Sequence, residues 1–226
     1  MEHKSGIVIF TDGSSRGNPG SGGWAVVIVK SEKLKGQSGT HVTELGGNEK
    51  VTTNNRMELR AALEGLRAAP KDESITVYTD SSYLINGITK WVKGWKRNGW
   101  QTKTKDDVLN KDLWMDLDEA AAERTVSWKY VGGHVGILGN ERCDHIATAF
   151  ADGREVKLYG GPLGLYDLPD ILNVYGRAQV EGQEIRFFSF SCKGVFICER
   201  RRWRRRSSSF LARMREEGQR SEGGTI

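Results

Sequence analysis

The length and cysteine content of this chain argue against a small disulfide-stapled fold. Its 226 residues suit one domain of about 150 residues with an appendage, and such a domain buries enough apolar surface to fold unaided. The three cysteines show no metal-ligand spacing, and an odd number is more typical of a reduced compartment. The first apolar run, Ile7–Phe10, is too short for a signal peptide or a membrane span, so we expect a soluble cytoplasmic protein without a membrane partner.

The net charge of +5 is modest and unevenly distributed. Residues 1–160 are nearly balanced, and most of the positive excess lies in 161–226. The total charge therefore does not indicate nucleic-acid binding, and only local clusters of Lys and Arg could do so. Such clusters occur around Lys96 and Arg97 and in the arginine run at 199–206.

The first part of the chain predicts three strands, a helix and a fourth strand. In chain order these are Ile7–Phe10, Trp24–Val29, the weaker strand Gln37–Leu45, a helix that starts at Asn55 and ends before Pro70, and Ile75–Thr79. The first strand is predicted to stop at a turn, Thr11–Gly13, and the glycine-rich segment Ser14–Gly23 is predicted to be a loop.

The second part predicts four helical segments and one more strand. These are the helical segments Ser82–Asn86, Ile88–Arg97 and Val108–Glu123, the strand Thr125–Val131, and the closing helix Glu141–Ala151. The complete order mixes hairpins with crossover connections. It predicts an α/β fold in which a five-stranded mixed sheet is flanked by helices.

The character of the chain changes beyond Tyr159. Gly160–Pro162 is interpreted as a linker and Ile185–Ile197 as a possible hairpin, and the arginine run at 199–206 leads into a polar end. Such a composition predicts partial disorder. We therefore divide the chain into a domain over 1–159 and a C-terminal extension over 160–226, whose arginines could hold nucleic acid or be a charged tail.

Four acidic residues lie where this prediction places element ends. Asp12 and Asp80 end the first and fourth strands, whereas Glu58 and Asp144 lie near the starts of the first and last long helices. Neighbouring parallel strands bring their carboxyl ends to one edge of a sheet, where a helix start can also reach. Carboxylates gathered there repel one another unless a cation neutralises them. Their hard oxygen atoms suit Mg²⁺ or Mn²⁺.

Each carboxylate also has an ordinary structural interpretation. Asp12 stands in a common turn pair with the next residue, Asp80 could cap the helix that follows it, and Asp144 could be a solvated helix residue. Glu58 fits an N-terminal capping pattern with Asn55. A functional assignment therefore has to depend on the four carboxylates together rather than on any one of them.

One histidine lies in a segment with little side-chain packing. His134 is surrounded by Gly132, Gly133 and Gly136, so a buried role is not expected. A loop histidine can carry protons to and from a reacting centre near neutral pH. The alternative is an incidental surface histidine.

The segment Lys90–Trp100 combines tryptophans with cations. Its candidates for substrate binding are Trp91, Trp95, Lys96, Arg97 and Trp100. Cations contact phosphates and indole faces pack on nucleotides. The alternative is that Trp91 and Trp95, at helical spacing i and i+4, form the core side of an amphipathic helix.

Several motifs together resemble the bacterial type I ribonuclease H family. They are Phe10–Ser14 followed by Gly17–Gly20, Thr53–Leu59, Thr79–Ser81, Gly133-His134 and Gly139–Asp144. They occur in the order typical of the family and span roughly Gly6 to Tyr159. The resemblance implies a ribonuclease H-like fold and a monomeric endonuclease that cuts the RNA strand of RNA–DNA hybrids.

The resemblance also implies roles for individual residues. It implies that the catalytic residues Asp12, Glu58, Asp80 and Asp144 hold two Mg²⁺ ions, with Mn²⁺ as a substitute, and that His134 assists proton or product movement. Two-metal hydrolysis leaves 5′-phosphate and 3′-hydroxyl ends. The remaining implied hybrid contacts, some recognising the 2′-hydroxyl, are Gly13, Ser14, Asn18, Thr53, Asn54 and Asn55, and the resemblance supports a basic protrusion around Trp91–Trp100.

The sequence departs from the family pattern at two positions and leaves other functions open. Gly132 stands where a lysine is common, and Ser82 stands where a longer amide side chain is common. No pattern for an additional hybrid-binding domain occurs in 160–226. Two functions remain as alternatives to the hybrid-cutting endonuclease. One is a non-catalytic hybrid-binding protein, and the other is an integrase- or transposase-like nuclease on the same fold.

Overall fold

The computed structural model describes residues 6–34, 37–174, 188–190 and 196–198. The chain divides into two compact units, Met1–Arg177 and Ala178–Ile226. In the second unit, β7 (Phe188–Phe190) and β8 (Phe196–Cys198) pair as an antiparallel hairpin, which agrees with the hairpin predicted over Ile185–Ile197. The arginine run at 199–206 lies outside the described residues.

The first unit contains six strands and five α-helices within its described residues. The strands are β1 (Gly6–Ser15), β2 (Gly20–Leu34), β3 (Gln37–Thr52), β4 (Ser74–Thr79), β5 (Thr125–Tyr130) and β6 (Gly160–Pro162). The helices are α1 (Asn54–Ala68), α2 (Ser82–Asn86), α3 (Val92–Arg97), α4 (Lys111–Ala122) and α5 (Leu138–Ala151). A π-helical turn, Gly87–Trp91, joins α2 to α3, and a 3₁₀ turn occupies Leu163–Leu165. Across the described residues, no helix is both long and apolar enough to cross a membrane.

The strands form one mixed sheet in the order β5-β4-β1-β2-β3-β6. β1, β2 and β3 form an antiparallel meander, whereas β4 and β5 run parallel to β1. The predicted mixed α/β fold is confirmed, but the count of five strands is wrong. Gly160–Pro162, interpreted as a linker, pairs with His41–Thr43 as a sixth strand. Three residues are too few to show the period-2 pattern by which a strand is predicted.

Two hydrophobic cores cover the two faces of the sheet. Because side chains alternate along a strand, Ile7 and Ile9 of β1 face the core under α1 and α4, whereas Phe10 faces the core under α5. The second core also contains Tyr166 and Ile171 from beyond the predicted domain boundary at 159. The chain after 159 therefore contributes to the packing of the first unit.

Two predicted element boundaries change the position of acidic residues. β1 does not stop at Thr11–Gly13; it continues to Ser15 because the glycine-rich segment after Gly20 pairs with it in β2. The predicted loop therefore shrinks to Arg16–Pro19. α5 begins at Leu138, so Asp144 lies in the middle of the helix rather than near its start.

A buried carboxylate fastens the chain after 157 to the sheet. Glu44 of β3 has a fully buried side chain. Its Oε1 accepts hydrogen bonds from Arg142 Nε at 2.7 Å and Tyr166 Oη at 2.5 Å, and its Oε2 accepts from Arg142 Nη2 at 2.8 Å and Tyr159 N at 2.9 Å. Because β3, α5 and the segment Lys157–Tyr166 all meet at this one group, the segment is part of the domain rather than a loose extension.

Candidate active site

The four predicted carboxylates come from four different elements. Asp12 lies near the carboxyl end of β1, and Asp80 follows the parallel neighbour β4, with Phe10 paired to Tyr78. Parallel pairing therefore delivers both side chains to the same edge of the sheet, as the sequence predicts. Asp80 does not cap α2, because Ser81 is the N-cap and its hydroxyl accepts from Leu84 N at 3.1 Å.

Close backbone packing brings the two helical carboxylates to this edge. A Cβ at Gly13 would lie 2.2 Å from Glu58 N, so only glycine allows β1 to touch the first turns of α1. On the other face, the thiol of Cys143 donates to Phe10 O at 3.2 Å, and Asp144 is the next residue of α5. Glu58 and Asp144 thereby approach Asp12 from opposite faces of the sheet.

The electrostatics of Asp12 couple it to each of the other three carboxylates. Burial and the charge of Asp80, followed by smaller effects of Asp144 and Glu58, raise the pKa of Asp12 to about 8, although a hydrogen bond from Gly13 N opposes the change. Burial likewise raises the pKa of Glu58 to about 7, with a further contribution from Asp80. Repulsion among buried carboxylates of this kind favours the binding of cations.

Three polar neighbours hold these carboxylates in place, and the sequence interpretation left two of them, Ser81 and Asn140, without a role. Ser81 Oγ donates to Glu58 Oε2. Asn54 Nδ2 donates to Glu58 Oε1 at 2.9 Å, and Asn140 Nδ2 donates to Asp80 Oδ2 at 2.9 Å. Asn54 was predicted as a hybrid contact. Ser81 and Asn140 lie inside the recognised motifs, and only their contacts across the fold reveal what they do.

The chemistry of the donors suits Mg²⁺ or Mn²⁺. Within the described part of the chain, no group of three Asp, Glu, His or Cys side chains is arranged so that it could hold a metal ion. Mg²⁺ does not need such a group, because it binds through one or two carboxylates and keeps several waters. Among the described groups, the buried Oδ1 of Asn140 has no hydrogen-bond partner, which leaves a further oxygen donor beside Asp80. The residues therefore fit a hard divalent cation.

His134 lies at the tip of the loop between β5 and α5. Its side chain is exposed, and its backbone has a left-handed φ of 54°. Gly136 N donates to Glu141 Oε1 at 3.0 Å, which fastens the end of the loop to α5. A Cβ at Gly133 would lie 3.0 Å from Asp80 Oδ2. The loop therefore starts directly beside the carboxylates and presents an exposed imidazole.

The predicted substrate residues around α1 are joined to one another. Asn18 Oδ1 accepts from Asn54 N at 3.0 Å, so the Arg16–Pro19 loop is fastened to the start of the helix. Thr53 is the N-cap of α1 and accepts from Arg56 N at 3.4 Å, and Asn55 is half-buried in the first turn. Thr53 therefore caps α1, in place of the capping pattern that the sequence suggested between Asn55 and Glu58.

The tryptophans of the basic segment differ in exposure. Trp95 and Trp100 are partly buried against the core, whereas Trp91 is 39% exposed. The ring of Trp95 lies 5.7 Å from that of Trp91 and 5.6 Å from that of the buried Trp114. Core packing is therefore present for Trp95 and Trp100, and Trp91 offers a free face.

The cations of this segment differ in whether a nearby carboxylate neutralises their charge. Lys96 Nζ lies 2.6 Å from Asp118 Oδ2, so its charge is already paired. Arg97 lines a cavity of about 440 Å³ together with Lys103 and Lys105. The other lining residues are Asn98, Gln101 and Thr102, which carry no charge. This cavity is therefore the more cationic part of the protrusion.

Carboxylates at one edge of a mixed sheet, in a chain that also carries a basic aromatic segment, suit a hydrolase of the nuclease class. The RNase H family model matches residues 4–152. The ribonuclease H of Erythrobacter litoralis is 50% identical over 146 residues, covering 65% of this chain and 96% of the relative. That of Thermosynechococcus vestitus is 49% identical over 154 residues, covering 66% and 91%. The chain belongs to the ribonuclease H family and is a ribonuclease H enzyme.

A solved structure supports the same assignment. The crystal structure of a type 1 ribonuclease H with the type 2 active-site motif superposes with a TM-score of 0.59. It is 29% identical and covers 71% of this chain and 79% of that chain. The family resemblance and the fold predicted from the sequence are thus confirmed.

Proposed function

We propose that this enzyme hydrolyses the RNA strand of RNA–DNA hybrids with two divalent cations and leaves 5′-phosphate and 3′-hydroxyl ends. The observation that carries the proposal is the placement of three carboxylates around Asp12, whose pKa is raised by its burial and then by their charges. Crowded negative charge would hinder a protein that only binds phosphates, so this placement also argues against a non-catalytic hybrid-binding protein. The monomeric state and the cytoplasmic location remain predictions.

The chain's own residues supply the metal site and its orientation. Asp12, Glu58, Asp80 and Asp144 would hold the cations. When bound, such ions activate a water molecule and neutralise the charge that builds on the phosphate and the leaving oxygen. Hydrogen bonds from Ser81 to Glu58 and from Asn140 to Asp80 restrict the carboxylates to one orientation, as neighbours of metal ligands commonly do.

Recognition of RNA follows from the groups around Asp12. The 2′-hydroxyl both donates and accepts hydrogen bonds, and Gly13, Ser14 and Glu58 place backbone, hydroxyl and carboxylate groups beside the site of cleavage. Thr53 at the start of α1 would meet a phosphate of the DNA strand. The exposed His134 would carry protons between the site and solvent.

Cleavage of three labelled duplexes tests this function. The protein is incubated with an RNA–DNA hybrid, a DNA duplex and an RNA duplex, each with Mg²⁺ and with chelator. We expect only the hybrid to be cut, only in its RNA strand and only with the metal. Analysis of the ends identifies the products. Cleavage of the DNA duplex, or metal-independent cleavage, would contradict the proposal.

The basic protrusion should contribute mainly to binding. Arg97→Ala is expected to raise KM by about 3- to 10-fold with little change in kcat, because it removes a phosphate contact made equally in the ground and transition states. Lys96→Ala should have a smaller effect, since its ammonium is already paired with Asp118. Steady-state kinetics at several salt concentrations measure both.

Lys71 provides the matched control for these cations. It pairs with Glu123 at 2.7 Å and precedes β4, at the opposite edge of the sheet. Lys71→Ala removes the same charge and should leave KM unchanged. An equal rise of KM in this variant and in Arg97→Ala would show that only net charge matters.

A further inference from the structure

A charged cluster outside the carboxylate site joins the Arg16–Pro19 loop to the end of α5. Arg16 Nε lies 2.5 Å from Asp152 Oδ1, and Arg16 Nη2 lies 2.8 Å from Asp152 Oδ2. Arg154 Nη2 also donates to Asp152 Oδ2, at 3.0 Å. Ser21 Oγ donates to Ala151 O at 2.8 Å and adds a second connection between the same two segments.

The cluster presents excess positive charge at the surface. Two guanidinium groups share one carboxylate, so one positive charge is not neutralised within the cluster. The side chains of Arg16 and Arg154 are about half exposed, at 47% and 54%. Hydrogen bonds from Arg16 lower the pKa of Asp152 to about 2, so the carboxylate stays ionised and the net charge is stable through neutral pH.

The cluster is continuous with the site of cleavage. In the last turn of α5, Thr148 Oγ1 lies 3.4 Å from Ser14 Oγ, a group of the proposed ribose site. The pKa of Arg16 is raised mainly by its hydrogen bond to Asp152, and Asp144 contributes as well. Arg16 is therefore within electrostatic reach of the proposed metal ligand Asp144.

We propose that Arg16 and Arg154 bind a phosphodiester of the strand that is cut, roughly three or four nucleotides from the cleaved bond. This inference rests on the proposed function. The eight helical residues from Asp144 to Asp152 span about 12 Å, and a nucleic-acid strand advances about 3.4 Å per nucleotide. An exposed arginine pair at that distance meets the backbone rather than the bases, so the contact adds affinity without sequence preference.

Binding to a labelled hybrid in chelator tests the cluster without cleavage. Arg16→Ala and Arg154→Ala should each raise the Kd for the hybrid about fivefold, which is the size expected for an exposed charged contact. Each should also reduce the slope of log Kd against log salt by about one. Arg67→Ala, at the far end of α1 with a similar exposure of 48%, is the matched control and should change neither.

The sign of the effect at Asp152 separates phosphate binding from loop fastening. Asp152→Asn frees both guanidiniums and removes a negative charge, so the Kd should be equal to or lower than that of the wild type. If the pair served only to hold the loop, Asp152→Asn would weaken binding as much as Arg16→Ala, and that result overturns the inference. Binding that is unchanged in both arginine variants also overturns the inference.

Shortened hybrids locate the contact. RNA strands that end two nucleotides from the cleaved bond, on one side or the other, are compared with strands that extend six. We expect one truncation to weaken binding of the wild-type protein and to have no further effect on the Arg16→Ala, Arg154→Ala double variant. Equal sensitivity of both proteins to both truncations overturns the inference. A wild-type protein that cuts no hybrid in Mg²⁺ would instead refute the proposed function.

Discussion

Asp12→Asn is expected to abolish hybrid cleavage and, in the same molecule, to stabilise the metal-free fold. Loss of a metal ligand should lower kcat by about 1000-fold or more, because bound cations supply several kcal/mol of transition-state stabilisation. The pKa of the folded Asp12 is about 8, against 3.8 for the free side chain. A carboxyl whose pKa is raised by folding opposes folding at every pH above its unfolded pKa. Asparagine has the same shape and no such cost.

Two measurements check this prediction. Cleavage is assayed at neutral pH with Mg²⁺, and thermal unfolding is followed in chelator. At neutral pH the variant should unfold about 2–4 °C higher, which corresponds to at least about 1 kcal/mol. The difference should shrink as the pH falls towards the unfolded pKa of 3.8 and vanish below it, where the wild-type carboxyl is protonated in both states. A variant that unfolds below the wild type in chelator would contradict the assignment of crowded carboxylates.

An exposed aspartate serves as the control. Asp116 of α4 pairs with Arg67 at 3.0 Å, and its side chain is 50% exposed. Asp116→Asn should leave cleavage intact and change stability by less than about 1 kcal/mol. Comparison of the two variants separates the effect of burial and crowding at Asp12 from the effect of removing one negative charge.

Glu44→Ala should produce the largest loss of stability, about 3–5 kcal/mol. Removing one partner of a buried ion pair leaves the other uncompensated, and here Arg142, Tyr166 and Tyr159 all lose their acceptor. Urea unfolding measures the difference. Glu49→Ala is the matched control, because Glu49 bonds Arg60 at 3.2 Å with a partly exposed side chain. It should cost less than about 1 kcal/mol.

The pH dependence has a definite sign. Burial raises the pKa of Glu44, but hydrogen bonds from Arg142, Tyr166 and Tyr159 outweigh it and lower the pKa below its ordinary value. A lowered pKa contributes stability above the unfolded pKa, and this contribution is lost as the pH falls through the folded pKa. Glu44→Gln should therefore flatten the acid limb of the stability profile. An acid limb as steep as that of the wild type would rule out this network as its source.

The same network tests where the domain ends. A chain that stops after residue 159 loses Tyr166 and β6, so it should unfold at markedly lower urea than the full chain. A truncated protein as stable as the full chain would show that the predicted boundary at 159 was adequate.

Local patterns were sufficient for much of the molecule. Helix α1 and the strand Ile75–Thr79 could be predicted because the spacing of apolar residues within each element indicates which of its faces is buried. Asp12 and Asp80 were predicted to meet because parallel strands end at the same edge. The predicted helix starts and a glycine-rich segment singled out Glu58, Asp144 and His134, and the ribonuclease H motifs added their roles, which no periodicity reveals.

The amino-acid sequence by itself determined the fold class and the family, and it predicted the four carboxylates. Only the tertiary structure decided that Gly160–Pro162 forms an edge strand, that Ser81 and Asn140 orient the carboxylates, and that Glu44 is buried. It also decided the pairing of Arg16 with Asp152. Spacing along the chain encodes which residues share a face of one element. Contacts between residues 136 positions apart, as in the Arg16–Asp152 pair, depend on how separate elements pack, and no local pattern carries that information.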